Sequence, residues 1–168
     1  MRYVAHFLER VASGLDEAAF VAEVGDHVLV QIETGEQAGG PGDAEVTAQF
    51  SPGVIRRQAE SSRETAVYAL PRTQGPLVVG RAPDCALQIL HSSVSKHHAQ
   101  LEWKGDELWL TDQGSTNGTW LNRHKAEAKQ ALKVRPDDTL RFGQGDAFLV
   151  MSPSAFYHYL KMLRRFGI

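Results

Sequence analysis

The sequence predicts a mainly β fold, a β-sandwich that carries an N-terminal helical extension and a C-terminal helix. Between residues 66 and 151, apolar and polar residues alternate in at least eight short runs, which turn residues separate at intervals of roughly ten residues. Regularly spaced short strands of this kind are typical of a sandwich or barrel. The segments between the runs are too short for the crossover helices that a parallel sheet requires.

The first 64 residues are expected to form the N-terminal extension. Their first apolar residues recur at three- and four-residue spacing, which predicts a helix that Gly14 interrupts. A second helix is predicted between Asp16, a favourable N-cap, and Gly25, a favourable helix end. The β-branched run HVLVQIE then predicts one strand. The glycine-rich stretch 34–45 is typical of a flexible linker.

Residues 65–151 are predicted to form the sandwich, after one or two weak helical turns within 50–65. The strand candidates are the runs AVYALPR, PLVVGR, ALQIL, HAQLEW, ELWLTD, TWLN, TLRF and AFLVM. The stretch LKVRPDDTLRFG indicates two strands joined by a Pro-Asp-Asp turn. Asn117 and Gly118 indicate another turn, because both residues tolerate a positive φ.

The last segment, residues 152–168, has the pattern of an amphipathic helix. Ser152 is a favourable N-cap, Pro153 suits the first helical position, and Gly167 suits the helix end. One face is apolar and carries Phe156, Leu160 and Leu163. The opposite face is basic and carries Lys161, Arg164 and Arg165. Since isolated helices of this length are marginal in water, we expect the apolar face to pack within the chain. The alternatives are a homodimer and a membrane surface, to which the three basic residues give only weak support.

Composition limits the classes of function. The sequence of 168 residues is 42% hydrophobic and 23% charged with a net charge of −2, which is ordinary for a globular protein and gives no support to nucleic-acid binding. Its start lacks the uncharged core of a signal peptide, and no stretch approaches the roughly 18–20 apolar residues of a membrane span. The single cysteine, Cys85, excludes an internal disulfide, so we expect a reducing, cytoplasmic location.

Three polar clusters follow the ends of predicted strands. The first is Gly80-Arg81, the second is SVSKHHA at 93–99, and the third is DQGSTNGTW at 112–120. The third cluster contains more hydroxyl and glycine residues than a simple turn requires. Together the clusters offer a guanidinium fork, hydroxyl donors, an ammonium charge and backbone N–H groups, all of which bind phosphate.

Four motifs, in their order and spacing, resemble those of the forkhead-associated (FHA) domain: Gly-Arg, SKHHA, DQGSTNGTWLN and L…PDDTLRFG. The resemblance covers residues 65–151, about half of the chain. It implies a β-sandwich that binds phosphothreonine peptides through loops at one end. It also implies a partner phosphorylated by a Ser/Thr kinase, or the kinase itself, and a reader without catalysis or a cofactor.

The resemblance assigns five residues to phosphopeptide binding. Arg81 corresponds to the family arginine that pairs with the phosphate, and Ser95 to the serine whose hydroxyl donates to it. Lys96 fills a position that is usually basic or amide and that faces the phosphate or the peptide. Thr116 corresponds to a second contact on the phosphate side, and Asn117 to the residue whose amide holds the peptide main chain.

Three further residues are implied to support the site. Gly80 permits a tight backbone, His98 braces the binding loops, and Gly118 completes the Asn-Gly pair. Arg123 replaces the small residue that the family usually has after Asn-Gly-Thr-x-x-Asn, and we expect this departure to affect a neighbouring turn rather than the phosphate site.

Other interpretations of the polar residues have less support. The adjacent His97 and His98 would point to opposite faces of a strand, and no Asp, Glu or Cys stands at zinc spacing, so no metal site is expected. Ser95, His98 and Asp112 could be drawn as a hydrolase triad, but a nucleophile-elbow motif is missing. The alternative that stays open is an FHA fold that serves as an interaction or oligomerisation scaffold without phosphate dependence.

Overall fold

The computed structural model describes residues 1–32 and 64–165. The helices are α1 (Val4–Ala12), α2 (Glu17–Val24) and α3 (Pro153–Arg165). The strands are β1 (Arg2–Tyr3), β2 (Val28–Ile32), β3 (Ala66–Ala69), β4 (Leu77–Gly80), β5 (Leu87–Gln88), β6 (Ala99–Lys104), β7 (Glu107–Asp112), β8 (Thr119–Leu121), β9 (His124–Lys125), β10 (Ala131–Val134), β11 (Thr139–Phe142) and β12 (Ala147–Met151). The predicted linker at 34–45, most of the segment 50–65 and Gly167 lie outside the described residues.

The strands form two sheets, which confirms the predicted β-sandwich. The larger sheet has the order β1-β3-β2-β12-β11-β8-β9, and the smaller has the order β10-β7-β6-β4-β5. Neighbouring strands pair antiparallel except β4 and β5, which are parallel. Each predicted run contains a strand, whereas the two-residue strands β1 and β9 are too short to show a periodic pattern. The N-terminal strand β2 pairs with both β12 and β3, so residues 28–32 belong to the sandwich sheet.

The central strands of the larger sheet are apolar on both faces because two separate cores lie against them. In β2, Leu29 faces the space between the sheets, while Val28 and Val30 face the helices. In β12, Phe148 and Val150 face the space between the sheets. Leu149 and Met151 of the same strand face the helices. This alternation explains why both strands read as nearly continuous hydrophobic runs.

The helices α1, α2 and α3 form a layer on the outer face of the larger sheet. The predicted caps are present: Asp16 Oδ1 accepts from Ala19 N at 2.8 Å, and Ser152 Oγ accepts from Ala155 N at 3.2 Å. The apolar face of α3 packs against α1 and α2, with the Phe156 ring centroid 5.1 Å from that of Phe7. The C-terminal helix therefore buries its apolar face within the chain. None of the helices in the described ranges is long and apolar enough to cross a membrane.

Candidate functional site

Three loops meet at one end of the sandwich. Loop 81–86 joins β4 to β5, loop 89–98 joins β5 to β6, and loop 113–118 joins β7 to β8. The first two loops are joined by main-chain hydrogen bonds from Arg81 N to Ser95 O, 3.0 Å, and from Ala82 N to Lys96 O, 3.1 Å. The third loop is joined to the second through Thr116 N, which donates to Ser95 Oγ at 3.1 Å. The three polar clusters of the sequence are thus brought together.

Arg81 is exposed and partly fixed in position. Its Nε donates to Val94 O at 3.2 Å, which holds the base of the guanidinium against loop 89–98. Within the described ranges, neither terminal nitrogen of Arg81 has a hydrogen-bond or ion-pair partner. The outer edge of a positively charged fork is therefore available to an anion.

The Ser95 hydroxyl has its acceptor side occupied and its donor side free. Its Oγ accepts from Thr116 N at 3.1 Å, and its own N–H donates to the His98 ring at 3.0 Å. Because the oxygen already accepts a bond from the protein, the hydroxyl proton can be directed outwards to a ligand oxygen. Thr116 itself is exposed beside it.

The Asn117 side chain connects loop 113–118 to loop 89–98. Its Nδ2 donates to Ser93 O at 2.7 Å and fixes the orientation of the amide. The second amide proton and the carbonyl oxygen remain, one donor and one acceptor, which matches the hydrogen-bonding capacity of one peptide residue.

Lys96 contributes to the site through its main chain and its charge. The Lys96 carbonyl accepts from Ala82 N and from the Cys85 thiol, both at 3.1 Å. The side chain is exposed, and no residue of the described ranges pairs with its ammonium group. Arg81 and Lys96 therefore give this end of the sandwich two unneutralised positive charges.

Gly80 is required by a close approach of two backbones. A Cβ at this position would lie 2.2 Å from Lys96 O and 2.8 Å from Lys96 C. No real side chain tolerates these distances, so glycine lets β4 end directly against loop 89–98.

His98 is completely buried and bridges two of the loops. Ser95 N donates to its Nδ1 at 3.0 Å, so the proton is on Nε2, which donates to Gly118 O at 2.9 Å. Burial lowers the pKa of His98, although the bond to the Gly118 carbonyl and the nearby Asp112 charge favour the protonated form. Since main-chain groups occupy both ring nitrogens, Ser95, His98 and Asp112 do not form a hydrolase triad.

The chain direction at Asn117 and Gly118 is not set by a two-residue hairpin turn, although both residues tolerate a positive φ. Gly118 has φ +84° and Gly114 has φ +82°, but Asn117 is not among the residues with a positive φ. A two-residue hairpin turn with positive φ at both positions is therefore wrong here. The loop instead takes its shape from side chains that bond to its own backbone.

Asp112 organises loop 113–118, and the sequence analysis missed this role. The carboxylate is buried and accepts from Gly114 N at 2.9 Å, Ser115 N at 3.0 Å, Ser115 Oγ at 2.6 Å and Thr119 Oγ1 at 2.6 Å. Burial alone would raise the pKa of Asp112, but these hydrogen bonds outweigh it and the pKa is lowered. The local signal was the stretch Asp112-Gln113-Gly114-Ser115, in which an aspartate two residues before Gly-Ser is typical of a side chain that caps its own turn.

A second missed contact joins loop 81–86 to loop 89–98. The sequence spacing offers the histidines no acidic or cysteine partner, yet the fold brings the ligand-type atoms of Asp84, Cys85 and His97 within 4.8 Å of one another. His97 Nε2 lies 2.9 Å from Asp84 Oδ2, and this hydrogen bond lowers the pKa of the Asp84 carboxyl. Burial raises the pKa of the Cys85 thiol, which donates to Lys96 O. All three groups thus have partners within the two loops.

Known sequences are similar to this region of the chain. Residues 77–143 match the model of the FHA domain. FhaB of Mycobacterium tuberculosis is 36% identical over 72 residues, which are 43% of this chain and 45% of FhaB. The protein PS1 of Arabidopsis thaliana is 36% identical over 69 residues, which are 40% of this chain and 5% of PS1. The chain therefore matches less than half of the length of these curated relatives.

Solved structures resemble this chain in fold. The FHA domain of a hypothetical protein of Arabidopsis thaliana has a TM-score of 0.52 and 19% identity, over 76% of this chain and 85% of that domain. The FHA domain of yeast Dun1, in complex with a doubly phosphorylated peptide, has a TM-score of 0.50 and 18% identity, over 77% of this chain and 75% of that one. These likenesses show that the two sheets have the fold of solved FHA domains, and it is within this fold that residues 77–143 match the FHA domain model.

Proposed function

We propose that this chain binds phosphothreonine-containing partner proteins through loops 81–86, 89–98 and 113–118. One observation carries the proposal: three donor groups with unused capacity are fixed side by side by hydrogen bonds. These groups are the terminal nitrogens of Arg81, the hydroxyl of Ser95 and the amide of Asn117. They are preorganised, so little conformational entropy is lost when a ligand binds.

The phosphate is bound by charge-assisted hydrogen bonds. A phosphothreonine carries a charge of about −1.5 to −2 at pH 7 and three acceptor oxygens. The Arg81 fork donates to two of these oxygens and the Ser95 hydroxyl to a third, while the exposed Lys96 ammonium adds charge. Thr116, whose N–H orders the Ser95 hydroxyl, contributes on the same side.

The peptide backbone is held separately from the phosphate. The free oxygen and second N–H of Asn117 bind one main-chain group each, which makes recognition depend on an extended peptide and not on free phosphate alone. Following the family resemblance, threonine is preferred over serine, since one methyl group in a fitted apolar notch contributes about 1–3 kcal/mol.

The module acts as a reader of phosphorylation and not as an enzyme. We expect residues 65–151 to carry the binding activity, β2 to complete their larger sheet, and the helices α1, α2 and α3 to support that sheet from its outer face. The partners are proteins phosphorylated by a Ser/Thr kinase, or the kinase itself. A cytoplasmic location fits the single cysteine, which is buried as a free thiol.

The test is calorimetry with one peptide in three forms. An oriented phosphothreonine peptide library first supplies the best-bound sequence, which is then titrated as its phosphothreonine, phosphoserine and unphosphorylated forms. We expect measurable binding only for the phosphorylated forms, with threonine tighter. Arg81→Ala removes charge-assisted bonds of about 1.5–3 kcal/mol each and should weaken binding at least about ten-fold.

Arg165→Ala is the matched control, because Arg165 is an exposed arginine at the end of α3 with no partner in the described ranges. Its affinity should equal that of the wild type. Equal affinity for the phosphorylated and unphosphorylated peptides would refute the proposal and favour the phosphate-independent scaffold.

A further inference from the structure

A row of two cations and one tryptophan extends from loop 113–118 across the larger sheet. Trp120 lies directly opposite Arg141 of β11 on one side and Lys125 of β9 on the other. Directly opposite residues of antiparallel strands share one face of the sheet. Arg141, Trp120 and Lys125, here called the cationic row, therefore stand side by side on its outer face.

The tryptophan holds both cations in position. The Arg141 guanidinium lies 4.4 Å from the Trp120 ring centroid, and the Lys125 ammonium lies 5.6 Å from it. These are cation–π contacts, which orient long side chains that would otherwise move freely. A prearranged pair of cations loses less entropy when it binds an anion.

The cationic row begins beside the proposed phosphopeptide site. A Cβ on Gly118 would lie 2.6 Å from Lys125 Cε, 3.4 Å from Lys125 Nζ and 3.2 Å from Trp120 Cη2. The Lys125 ammonium thus lies against the backbone of the residue that follows Asn117. An extended peptide advances about 3.3 Å per residue, so positions one to three residues from the phosphothreonine come within reach of the row.

The charges of the cationic row are not neutralised by the protein. Neither Arg141 nor Lys125 has an ion-pair partner among residues 1–32 and 64–165. Asp138, which immediately precedes β11, instead accepts hydrogen bonds from Asn122 Nδ2 at 2.8 Å and Arg135 N at 2.7 Å. Both charges lie against one ring, and an anion bound beside either cation offsets the repulsion between them.

We propose that the cationic row is a second anion subsite, which binds an acidic or second phosphorylated side chain flanking the phosphothreonine. This inference rests on the proposed function and adds a sequence preference to it. The cationic row selects partners that carry acidic residues on one side of the phosphothreonine, the side of the peptide that passes over Gly118.

The test is a glutamate scan of an alanine-flanked phosphothreonine peptide, with one glutamate at each position from three before to three after the phosphothreonine. The measured quantity is the affinity of each glutamate peptide relative to the all-alanine parent. Exposed ion pairs of this kind contribute about 1.4- to 5-fold per cation, so two of them should give one flank a gain of roughly 2- to 25-fold. The gain should be lost in the double variant Lys125→Gln/Arg141→Gln.

Lys161→Gln is the matched control, since Lys161 also lies over an aromatic ring, 5.6 Å from the centroid of Tyr157, but belongs to the helical layer. This variant should keep the full gain. No gain at any position, or an equal gain in the double variant, would overturn the subsite even if binding still required phosphate. Loss of phosphate dependence itself would overturn the proposed function and the subsite together.

Discussion

Replacing Gly80 by alanine tests whether the close contact between β4 and loop 89–98 sets up the site. The added Cβ would lie 2.2 Å from Lys96 O, whereas ordinary contact begins at 3.4 Å. The Lys96 carbonyl must therefore move by roughly 1 Å. That carbonyl accepts from Ala82 N and from the Cys85 thiol, so its movement weakens the links between the first two loops.

The expected loss of stability in Gly80→Ala follows from these contacts. Overpacking of a filled site costs about 1–3 kcal/mol, and a weakened hydrogen bond adds about 0.5–1.5 kcal/mol. Gly80→Ala should therefore lower the free energy of unfolding by about 2–4 kcal/mol and the melting temperature by roughly 5–15 °C. Because Ser95 and Lys96 shift with the loop, phosphopeptide affinity should fall at least about ten-fold.

Gly75→Ala is the matched control for this prediction. Gly75 precedes β4, and a Cβ there would meet nothing within 4 Å. Thermal denaturation and calorimetry below the melting temperature measure the two effects. If Gly80→Ala melted and bound like Gly75→Ala, the reasoning from the backbone contact would be wrong.

Three further predictions concern the supports of the site and the helical layer. Asp112→Asn places an amide against Ser115 Oγ and Thr119 Oγ1. The substitution should lower the free energy of unfolding by about 1.5–3 kcal/mol and speed the hydrogen exchange of backbone amides in loop 113–118. Unchanged exchange rates would contradict the role of the carboxylate. Burial holds the pKa of His98 below its ordinary 6.5, so the stability it contributes is complete above about pH 6.5 and is lost as the pH falls through the folded-state pKa. The melting temperature should therefore fall from pH 7 to 5 more steeply in the wild type than in His98→Asn, and parallel slopes would refute this. Leu160 is fully buried in α3, so Leu160→Ala should lower the free energy of unfolding by about 2–5 kcal/mol. Hydrogen exchange of the α1 amides should become faster, while the phosphopeptide affinity stays within two-fold of the wild type. A large loss of affinity would show that the helical layer controls the loops.

Local patterns in the sequence predict the elements whose stability depends on near neighbours. The caps at Asp16 and Ser152 form as expected, because each cap is a contact between residues three positions apart. The alternation in the sandwich strands predicts which side chains face a core. Motif order and spacing also indicate the family, since the loop residues that define it are short and contiguous.

Contacts between distant segments could not be predicted in this way. Nothing local indicates that β2 inserts between β12 and β3, because strand order depends on pairing across more than 100 residues of sequence. The bond from Asn117 to Ser93, and the meeting of Asp84 with His97, arise only when the loops converge. Asp112 is a different case, because its partners lie within seven residues and the local pattern of a self-capped turn was present in the sequence.

The most direct test of the central claim is a titration of the ¹⁵N-labelled chain with the library-selected phosphothreonine peptide, followed by NMR of the backbone and side-chain amides. The account predicts that the largest shifts occur at the amides of Arg81, Ser95 and Thr116 and at the side-chain amide of Asn117, and that the unphosphorylated peptide causes none of them. Shifts confined to other surfaces, or identical shifts with both peptides, would contradict the assignment of these loops as a phosphothreonine-binding site.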